Sequence, residues 1–367
     1  MNEVVESATE KHEFPCQACG ANLIFAVGTE QLRCEYCGHE QKLGTENEAP
    51  IVEYDFKTAL AKVRKQPARN LVTGGKEVRC TSCGALTVTA HESTRCAFCD
   101  SPVVLAPEAD ELIPPESLLP FKIETKAARE SFKRWVNSRW FAPNDLKHRA
   151  QVGRLDGVYL PYWTYDSATT TAYTGMRGMY YYVTEQYRDS NGKSQTRKVR
   201  KTRWTPAFGT VRVPFDDVLV PGTGKLPRPL LEKLEPWDLH DLKPYDPGFL
   251  AGFLANRYDI DLEGGFLVAE KRMEPVIRNA ICRDIGGDTQ QVLSMRVKHD
   301  NVRFKHFLLP LWISSFRYGE KVYRFVVNAR SGEAAGERPW SWIKITLASL
   351  LGLTVAGLLW YFFGRGG

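Results

Sequence analysis

Residues 16–38 read CQACGANLIFAVGTEQLRCEYCG, and residues 80–99 repeat the pattern as CTSCGALTVTAHESTRCAFC. Each segment contains two Cys-x-x-Cys pairs, separated by fourteen residues in the first segment and by twelve in the second. This spacing is typical of a zinc ribbon, in which four thiolates bind one tetrahedral Zn²⁺. The sequence therefore predicts two zinc ions per chain. The predicted ligands are Cys16, Cys19, Cys34 and Cys37 for the first ion, and Cys80, Cys83, Cys96 and Cys99 for the second.

The residues between the cysteine pairs predict a short hairpin in each ribbon. Residues 22–27 and 86–90 alternate between apolar and polar side chains, as strands do. Gly20, Gly38 and Gly84 each follow a cysteine pair directly. Glycine suits the tight turn that brings backbone N–H groups toward a thiolate sulfur. Because four cysteines leave no coordination position for water, we expect structural rather than catalytic metal sites.

Two alternatives to zinc sites with four cysteine ligands remain open at this point. The first is a pair of disulfide-bonded loops in a secreted protein. Residues 1–15 lack the apolar segment of a signal peptide, and eight of the nine cysteines belong to the two ribbons, so we favour a reducing compartment. In the second alternative His39 or His91 replaces a cysteine ligand, but turn or surface positions are the simpler expectation for both.

An uncharged apolar run, ITLASLLGLTVAGLLWYFF, occupies residues 345–363. A helix of this length spans roughly 28 Å, close to the thickness of the hydrocarbon core. A buried core helix is the alternative. Aromatic residues lie at both ends, as they do at membrane interfaces: Trp340, Trp342, Trp360 and Tyr361.

We predict that this run is a single-pass transmembrane tail anchor. Because only four residues follow the run, the preceding chain is expected to stay on the side where it is made. Together with the reduced cysteines, this predicts the inner (cytoplasmic) membrane, with the N-terminal bulk facing the cytoplasm. Ala348, Gly352 and Ala356 recur at every fourth position, a spacing that allows two helices to approach closely, so self-association through this face is a further expectation.

Charge is unevenly distributed along the chain. The formal net charge is +6, yet residues 1–105 hold eleven Lys and Arg against fourteen Asp and Glu. Nucleic-acid binding needs a basic footprint that displaces counterions, and the ribbon half lacks one by composition. We therefore favour a protein partner for the ribbons. The remaining residues are basic, which suits the neighbourhood of anionic lipid headgroups.

The overall fold class is predicted to be α+β, with two small zinc ribbons, a β-rich mixed body and one C-terminal transmembrane helix. Apolar spacing predicts body helices over residues 125–140 and 266–285. Strand-like stretches cover residues 169–186 and 197–210, with a hairpin turn at Asn191-Gly192 between them. The predicted divisions are a first ribbon (1–47), a helical linker (48–75), a second ribbon (76–105), a proline-rich linker that separates the ribbons from the body (106–122), the body (123–339) and the anchor (340–363).

Two segments of the body share an apolar-Leu-Pro-x-Trp pattern, residues 158–163 and residues 307–312. One interpretation is a duplicated β-unit, which predicts that the two tryptophans occupy equivalent positions in two similar sheets. The alternative is that this pattern is a common way to anchor a strand with a buried indole.

The densest basic run lies on the return strand of the predicted hairpin. It contains Arg197, Lys198, Arg200, Lys201 and Arg203. Contact with anionic lipid or with nucleic acid is one interpretation. A solvated edge strand that charge protects against aggregation needs no ligand and is the simpler one.

Sequence motifs for catalysis are scarce. No HExxH, GxSxG or GxGxxG motif occurs, and residues 222–225 lack the first glycine and the Ser or Thr of a phosphate-binding loop. The cluster Asp238, His240, Asp241 and Asp246 fits a surface turn better than a metal site, and Cys282 fits helix packing better than a nucleophile. We therefore expect no enzymatic activity.

The tandem Cys-x-x-Cys-Gly-Ala ribbons, the Leu-Pro-x-Trp body and the C-terminal apolar run together resemble a bacterial family of membrane-anchored, TFIIB-type zinc-ribbon proteins. Its members are often labelled primosomal protein N′ (replication factor Y). The motor activity that this label implies needs a phosphate-binding loop, and the chain has none. The resemblance implies an association with phage-shock-protein-A-like and SPFH-domain proteins, which family members would bring to the membrane.

Two functions from different classes follow from the sequence. The first is a non-enzymatic, tail-anchored adaptor whose two ribbons dock a cytoplasmic protein, by resemblance a membrane-stress or membrane-remodelling protein. The second is a membrane-tethered zinc-ribbon regulator that binds nucleic acid. The acidic ribbon half favours the adaptor, because docking to a protein requires no basic face.

Overall fold

The computed structural model describes residues 14–43, 51–63, 76–80, 82–89, 96–99, 101, 103–105, 113–143, 155–188, 192–318 and 321–363. The predicted turn residues His91 and Asn191 lie outside this part of the chain. The described residues form a mixed α+β fold dominated by sheet, with one C-terminal apolar helix, which confirms the α+β part of the predicted fold class.

Short strands surround a few very long ones. The strands are β1 (Leu23–Phe25), β2 (Gln31–Cys34), β3 (Glu40–Lys42), β4 (Tyr54–Asp55), β5 (Lys76–Cys80), β6 (Leu86–Thr89), β7 (Val103–Leu105), β8 (Ser117–Leu118), β9 (Asp156–Arg188), β10 (Ser194–Pro221), β11 (Lys243–Pro244), β12 (Leu254–Asn256), β13 (Thr289–Tyr318), β14 (Lys321–Asn328) and β15 (Ala334–Gly336). The helices are α1 (Phe56–Val63), α2 (Thr125–Asn137), α3 (Arg228–Glu232), α4 (Leu262–Ile285) and α5 (Trp342–Phe363).

The two predicted body helices are present with shifted ends. α2 ends three residues before the predicted end, with Ser138 as its C-cap. α4 begins four residues earlier than predicted because the Asp261 side chain accepts a hydrogen bond from the Gly264 N–H at 2.7 Å and caps the helix. Pro275 lies inside α4, which continues past it.

The centre of the fold is the antiparallel pair β9 and β13. Their register runs from Asp156 opposite Ile313 to Gly178 opposite Thr289. β10 pairs with the other edge of β9, and β14 pairs with the other edge of β13. β10 is one continuous strand although it contains Pro206 and Pro214. Within the described part of the chain it pairs only with β9, so its other edge needs no N–H donors.

The body consists of two halves with the same order of elements: β8, α2, β9 and β10, followed by β12, α4, β13 and β14. The first strand of each half pairs in parallel with the long strand of the other half, β8 with β13 and β12 with β9. Leu160 lies opposite Leu309, so the two Leu-Pro-x-Trp segments are related by a local two-fold axis at this pair. The duplication therefore lies within one sheet, on neighbouring strands, and the expectation of two separate sheets is wrong.

The two tryptophans hold the halves together in the same way. The Trp163 indole donates to the carbonyl oxygen of Ile260, two residues before α4, at 3.0 Å. The Trp312 indole donates to the carbonyl oxygen of Ile123, two residues before α2, at 2.7 Å. Each indole thus fixes the start of the helix that belongs to the other half.

The predicted proline-rich linker is part of the core over its described residues. β8 pairs with β13, and Leu118, Leu119 and Phe121 are fully buried. The Phe121 ring stacks on Phe253 with the ring centroids 4.0 Å apart. The prolines end regular structure there without freeing the chain, so residues 113–122 attach the ribbons to the body instead of separating them.

The hairpin of β9 and β10 extends past the rest of the sheet. β13 begins at Thr289, opposite Gly178, so among the described strands residues 179–188 and 194–203 pair only with each other. We call these two segments the arm. Its ten residues per strand correspond to roughly 33 Å. The predicted basic run lies entirely on the arm, and its five cations are exposed.

Phe121→Ala tests whether residues 113–122, which were predicted to be a linker, are part of the core. A flexible linker would tolerate the change, whereas loss of a fully buried, stacked ring is expected to lower the free energy of unfolding by about 3–5 kcal/mol. Chemical denaturation of the detergent-solubilised chain measures this difference. Phe208→Ala, on an 82% exposed side chain, is the matched control, and equal effects of the two changes would contradict the packing.

Candidate metal centres

All four cysteine knuckles share one backbone arrangement. The N–H of the first cysteine in each pair donates to the carbonyl oxygen five residues later: Cys16 to Ala21, Cys34 to His39, Cys80 to Ala85 and Cys96 to Ser101, at 2.7–2.9 Å. In three knuckles a glycine N–H returns to the carbonyl oxygen of the first cysteine, from Gly20, Gly38 and Gly84. These glycines have φ of 70–75°, the left-handed region that side chains disfavour, which explains their presence directly after the cysteine pairs.

The eight predicted ligands lie in two groups of four, and the sulfur atoms of each group are all within 4.8 Å of one another. The Sγ–Sγ distances are 3.5 Å for Cys16–Cys37 and for Cys19–Cys34. In the second group they are 3.4 Å for Cys80–Cys99 and 3.7 Å for Cys83–Cys96.

These distances fit a tetrahedral metal. Zn–S bonds of about 2.3 Å place the sulfurs roughly 3.8 Å apart, whereas a disulfide brings them to about 2.0 Å. None of the eight cysteines is disulfide-bonded. The geometry thus suits two metal ions, with zinc the best match for an all-thiolate set. His39 contributes its backbone carbonyl to a knuckle and is not part of either sulfur group.

Hydrogen bonds in the knuckles also shift the pKa values of the cysteine thiols. A hydrogen bond with the Cys96 thiol lowers the pKa of Cys83 to about 5 and raises the pKa of Cys96. The backbone N–H of Cys37 lowers the pKa of Cys34 to about 7. The hydrogen bonds within each group thus lower the pKa of one thiol, and metal binding releases the protons that remain.

The first ribbon is a three-stranded sheet, β1–β2–β3, that touches the body along one side. The Phe25 N–H donates to the Ala251 carbonyl oxygen, and the Gly28 N–H donates to the Phe121 carbonyl oxygen, both at 3.0 Å. The knuckle of Cys34 and Cys37 exposes residues 35–38 to solvent. Tyr36 lies at the tip of that knuckle with 85% of its surface exposed.

The second ribbon is built into the body. β6 pairs with β12, so the ribbon hairpin continues the central sheet. Phe98, between the last two ligands, is fully buried, and its carbonyl oxygen accepts a hydrogen bond from Arg324 Nε at 2.9 Å. Cys80, Cys96 and Cys99 pack in one apolar cluster with body residues that include Leu160, Leu230 and Val326.

A third group of potential ligands was not predicted. Carboxylate oxygens of Glu53, Asp166 and Asp216 lie within 4.8 Å of one another. β-Bulges on both neighbours of β9, after Phe215 on β10 and after Asp300 on β13, bring these residues together. Because the bulges arise from long-range register, no local sequence signal announces the group.

Cations already neutralise much of this acidic group. Lys305 Nζ lies 3.2 Å from Glu53 Oε1 and 2.7 Å from Asp217 Oδ1. Burial, together with the neighbouring Glu53, raises the pKa of Asp166 to about 7. We therefore interpret the group as a proton-sharing structural cluster.

The other candidates from the sequence have structural roles. Asp241 lies in a short 3₁₀ turn and forms a salt bridge with Arg330. Asp246 caps the next turn by accepting a hydrogen bond from the Gly248 N–H at 2.7 Å. Cys282 lies on α4, near its C-terminal end.

The C-terminal apolar run forms α5. The segment Trp342–Phe362 is long and apolar enough to cross a membrane, with a mean hydropathy of 1.8, and none of it is buried against the body. Exposure along its whole length distinguishes α5 from a buried core helix.

The fold and the sites define a class of protein with two four-cysteine ribbons fused to an interlocked α+β body and one exposed apolar helix. The chain is similar to the uncharacterized protein YdjG of Bacillus subtilis (strain 168). The two are 25% identical over 336 residues, which covers 90% of this chain and 91% of that protein. No family model and no solved structure matches the chain.

Loss of the metal is expected to destabilise the whole protein more at the second ribbon than at the first. Cys83→Ser with Cys96→Ser, and separately Cys19→Ser with Cys37→Ser, should each lower the zinc content from two ions per chain to one. The first pair should lower the thermal midpoint by several degrees more, because the second ribbon continues the core; about 1 kcal/mol corresponds to a shift of roughly 2–4 °C. Elemental analysis and thermal unfolding check both points. Wild-type protein without zinc would contradict the site assignment.

The acidic cluster predicts a pH-dependent stability. A carboxyl group with a raised pKa stabilises the fold while it is protonated, and this contribution is lost as the pH rises through about 7. Asp166→Asn mimics the protonated form and keeps the acceptor for the Asp217 N–H. It should gain about 1 kcal/mol over the wild type at pH 8, a figure discounted for partial solvent exposure, and nothing at pH 3, below the pKa of the unfolded side chain. Denaturation at both pH values measures this, and a pH-independent difference would rule out the assigned titration.

Proposed function

We propose that this protein is a tail-anchored membrane adaptor without enzymatic activity. α5 inserts into the cytoplasmic membrane, and the ribbons and body face the cytoplasm, where thiols stay reduced. Closed four-cysteine sites support a structural role for the metal, because no position remains for a substrate or water. By the family resemblance, the partner is a phage-shock-protein-A-like or SPFH-domain protein.

One observation carries the choice of docking surface, namely the exposure of Tyr36. The Tyr36 side chain is 85% exposed and stands on a knuckle that the predicted metal would make rigid. Because tyrosine has only two χ angles, ordering it on binding costs little conformational entropy. Buried tyrosines are frequent energetic centres of protein interfaces. The knuckle around Tyr36 also carries Glu35, consistent with a protein rather than a phosphate backbone as partner. The first ribbon is therefore the docking element, and the second ribbon stabilises the body.

Tyr36→Ala should release the partner from full-length protein purified from solubilised membranes. Tyr182→Ala, on a 67% exposed tyrosine of the arm, is the matched control. Quantitative mass spectrometry of co-purified phage-shock-protein-A-like and SPFH-domain proteins measures the effect. We expect a drop of at least tenfold for Tyr36→Ala alone, the size of a strong interface residue. If the partner is retained by Tyr36→Ala and lost from Tyr182→Ala, the docking surface lies on the arm instead.

The arm supports the second candidate function, a membrane-tethered regulator that binds nucleic acid. Its cations lie among tyrosines, with Arg200 stacked over the Tyr180 ring at 4.2 Å and Arg203 over the Tyr181 ring at 5.5 Å. A two-stranded ribbon fits the major groove, and cations of this density displace counterions. Glu185, which forms salt bridges with Arg197 and Lys201, lowers the net charge. Tight, salt-sensitive binding of duplex DNA that Arg200→Gln and Arg203→Gln weaken would favour this function over the adaptor.

A further inference from the structure

A groove of about 570 Å³ lies between the C-terminal end of α2 and the first turns of α5. Its volume falls within the roughly 300–1,000 Å³ typical of small-molecule sites. The walls are mostly apolar and come from both elements: Val136, Ala142 and Pro143 on the body, and Leu347, Ala348 and Leu351 on α5.

Hydrogen bonds fix the position of α5 against the body beside this groove. The Ser341 N–H donates to the Phe141 carbonyl oxygen at 2.8 Å. Lys344 Nζ donates to the carbonyl oxygens of Trp140 and Ala142, at 3.0 and 2.8 Å. The groove is therefore a built feature of the junction between body and helix.

Several cations lie at the end of the groove that is lined by Arg139. Arg139 lines the groove and also an adjoining cavity of about 810 Å³, whose wall includes Arg338 and Lys321. The Nε atom of Arg139 is buried and has no hydrogen-bond partner. Burial and the neighbouring charge of Arg139 lower the pKa of Arg338. Among the described residues, no carboxylate forms a salt bridge with Arg139 or Arg338.

The two guanidinium groups repel each other, although each also lies over a tryptophan ring, Arg139 over Trp135 at 5.1 Å and Arg338 over Trp340 at 4.2 Å. A bound anion would relieve the repulsion between them. Two carboxylates, Glu333 and Glu337, line the same cavity. Glu337 accepts a hydrogen bond from the backbone N–H of Arg324 at 3.0 Å, so it already has a partner.

The site lies at the level where a membrane surface would meet the protein. Trp140, Trp340 and Trp342 surround it, and their side chains are 55–77% exposed. Exposed tryptophans of this kind are typical of the interface between headgroups and hydrocarbon. The groove continues along α5 toward the hydrocarbon, while the cations lie on the headgroup side.

We propose that this junction binds one anionic phospholipid, with an acyl chain in the groove and the phosphate between Arg139 and Arg338. The proposal rests on the insertion of α5 in the proposed function. The lipid fills the apolar space and neutralises the paired guanidinium groups. It thereby fixes the angle at which the body meets the membrane.

Native mass spectrometry of full-length protein tests the proposal, with the protein taken from nanodiscs that contain dioleoyl phosphatidylglycerol in phosphatidylcholine. The measurement is the phosphatidylglycerol retained per chain. Arg139→Gln with Arg338→Gln should lower retention about 25-fold, since each basic residue contributes about fivefold to attraction for anionic lipid. Arg129→Gln, with an exposed side chain on the same helix, is the matched control for a lost charge.

A second variant fills the groove without changing any charge. Ala348→Leu should lower retention at least tenfold, whereas Gly352→Leu, at a position with open space around it, should not. Excess inorganic phosphate should displace no lipid, because the acyl chain contributes to binding. Retention that falls equally in Arg129→Gln, or that survives both Ala348→Leu and the double arginine change, overturns the proposal. Loss of the wild-type protein from carbonate-washed membranes would instead show that α5 does not anchor the chain.

Discussion

The indole hydrogen bonds of Trp163 and Trp312 are the constraint on which the rest of the body depends. Each indole N–H is buried, so it must find an acceptor inside the protein. The acceptor in both cases is a backbone carbonyl just before the helix of the other half, Ile260 for Trp163 and Ile123 for Trp312. The two halves therefore cannot be separated without leaving two buried donors unsatisfied. The parallel pairing of β8 with β13 and of β12 with β9 follows the same exchange.

This interlocking explains why the two ribbons, although similar in sequence, differ in their surroundings. The second ribbon is joined to β12, a strand that the exchange places in the centre of the sheet, and so its metal site lies against the core. The first ribbon contacts the body through Phe25 and Gly28 and leaves residues of both knuckles, 17–20 and 35–38, exposed to solvent. A duplicated module has thus come to occupy two positions, one suited to stabilising the fold and one suited to presenting a surface.

The features that the sequence predicted are those that depend on near neighbours. Each ribbon lies within about twenty residues, and the apolar run of α5 is continuous, so local spacing was enough. The role of Leu118, Leu119 and Phe121 could not be predicted, because proline-rich segments look alike whether they are free or docked. The carboxylates of Glu53 and Asp166, more than a hundred residues apart in the chain, meet because β4 and β9 both pair with β13 beside its bulge. The groove beside α5 likewise depends on where α2 ends.

The protein has two basic surfaces, the arm and the site of Arg139 and Arg338. The direction of the strands places them apart. β15 runs antiparallel to β14, so the chain approaches α5 while moving away from the arm. Between Asp156, near the start of β9, and Gly178, at the base of the arm, the strand covers roughly 70 Å. The Debye length is about 8 Å at physiological ionic strength, so the arm cations are screened from headgroups around α5 along such a path. Under the proposed insertion of α5, the arm would therefore not contact the headgroups that surround the anchor. If α5 inserts as proposed, Arg139 and Arg338 are the cations nearest the headgroups, and the arm and the Tyr36 knuckle stay free for the proposed partners.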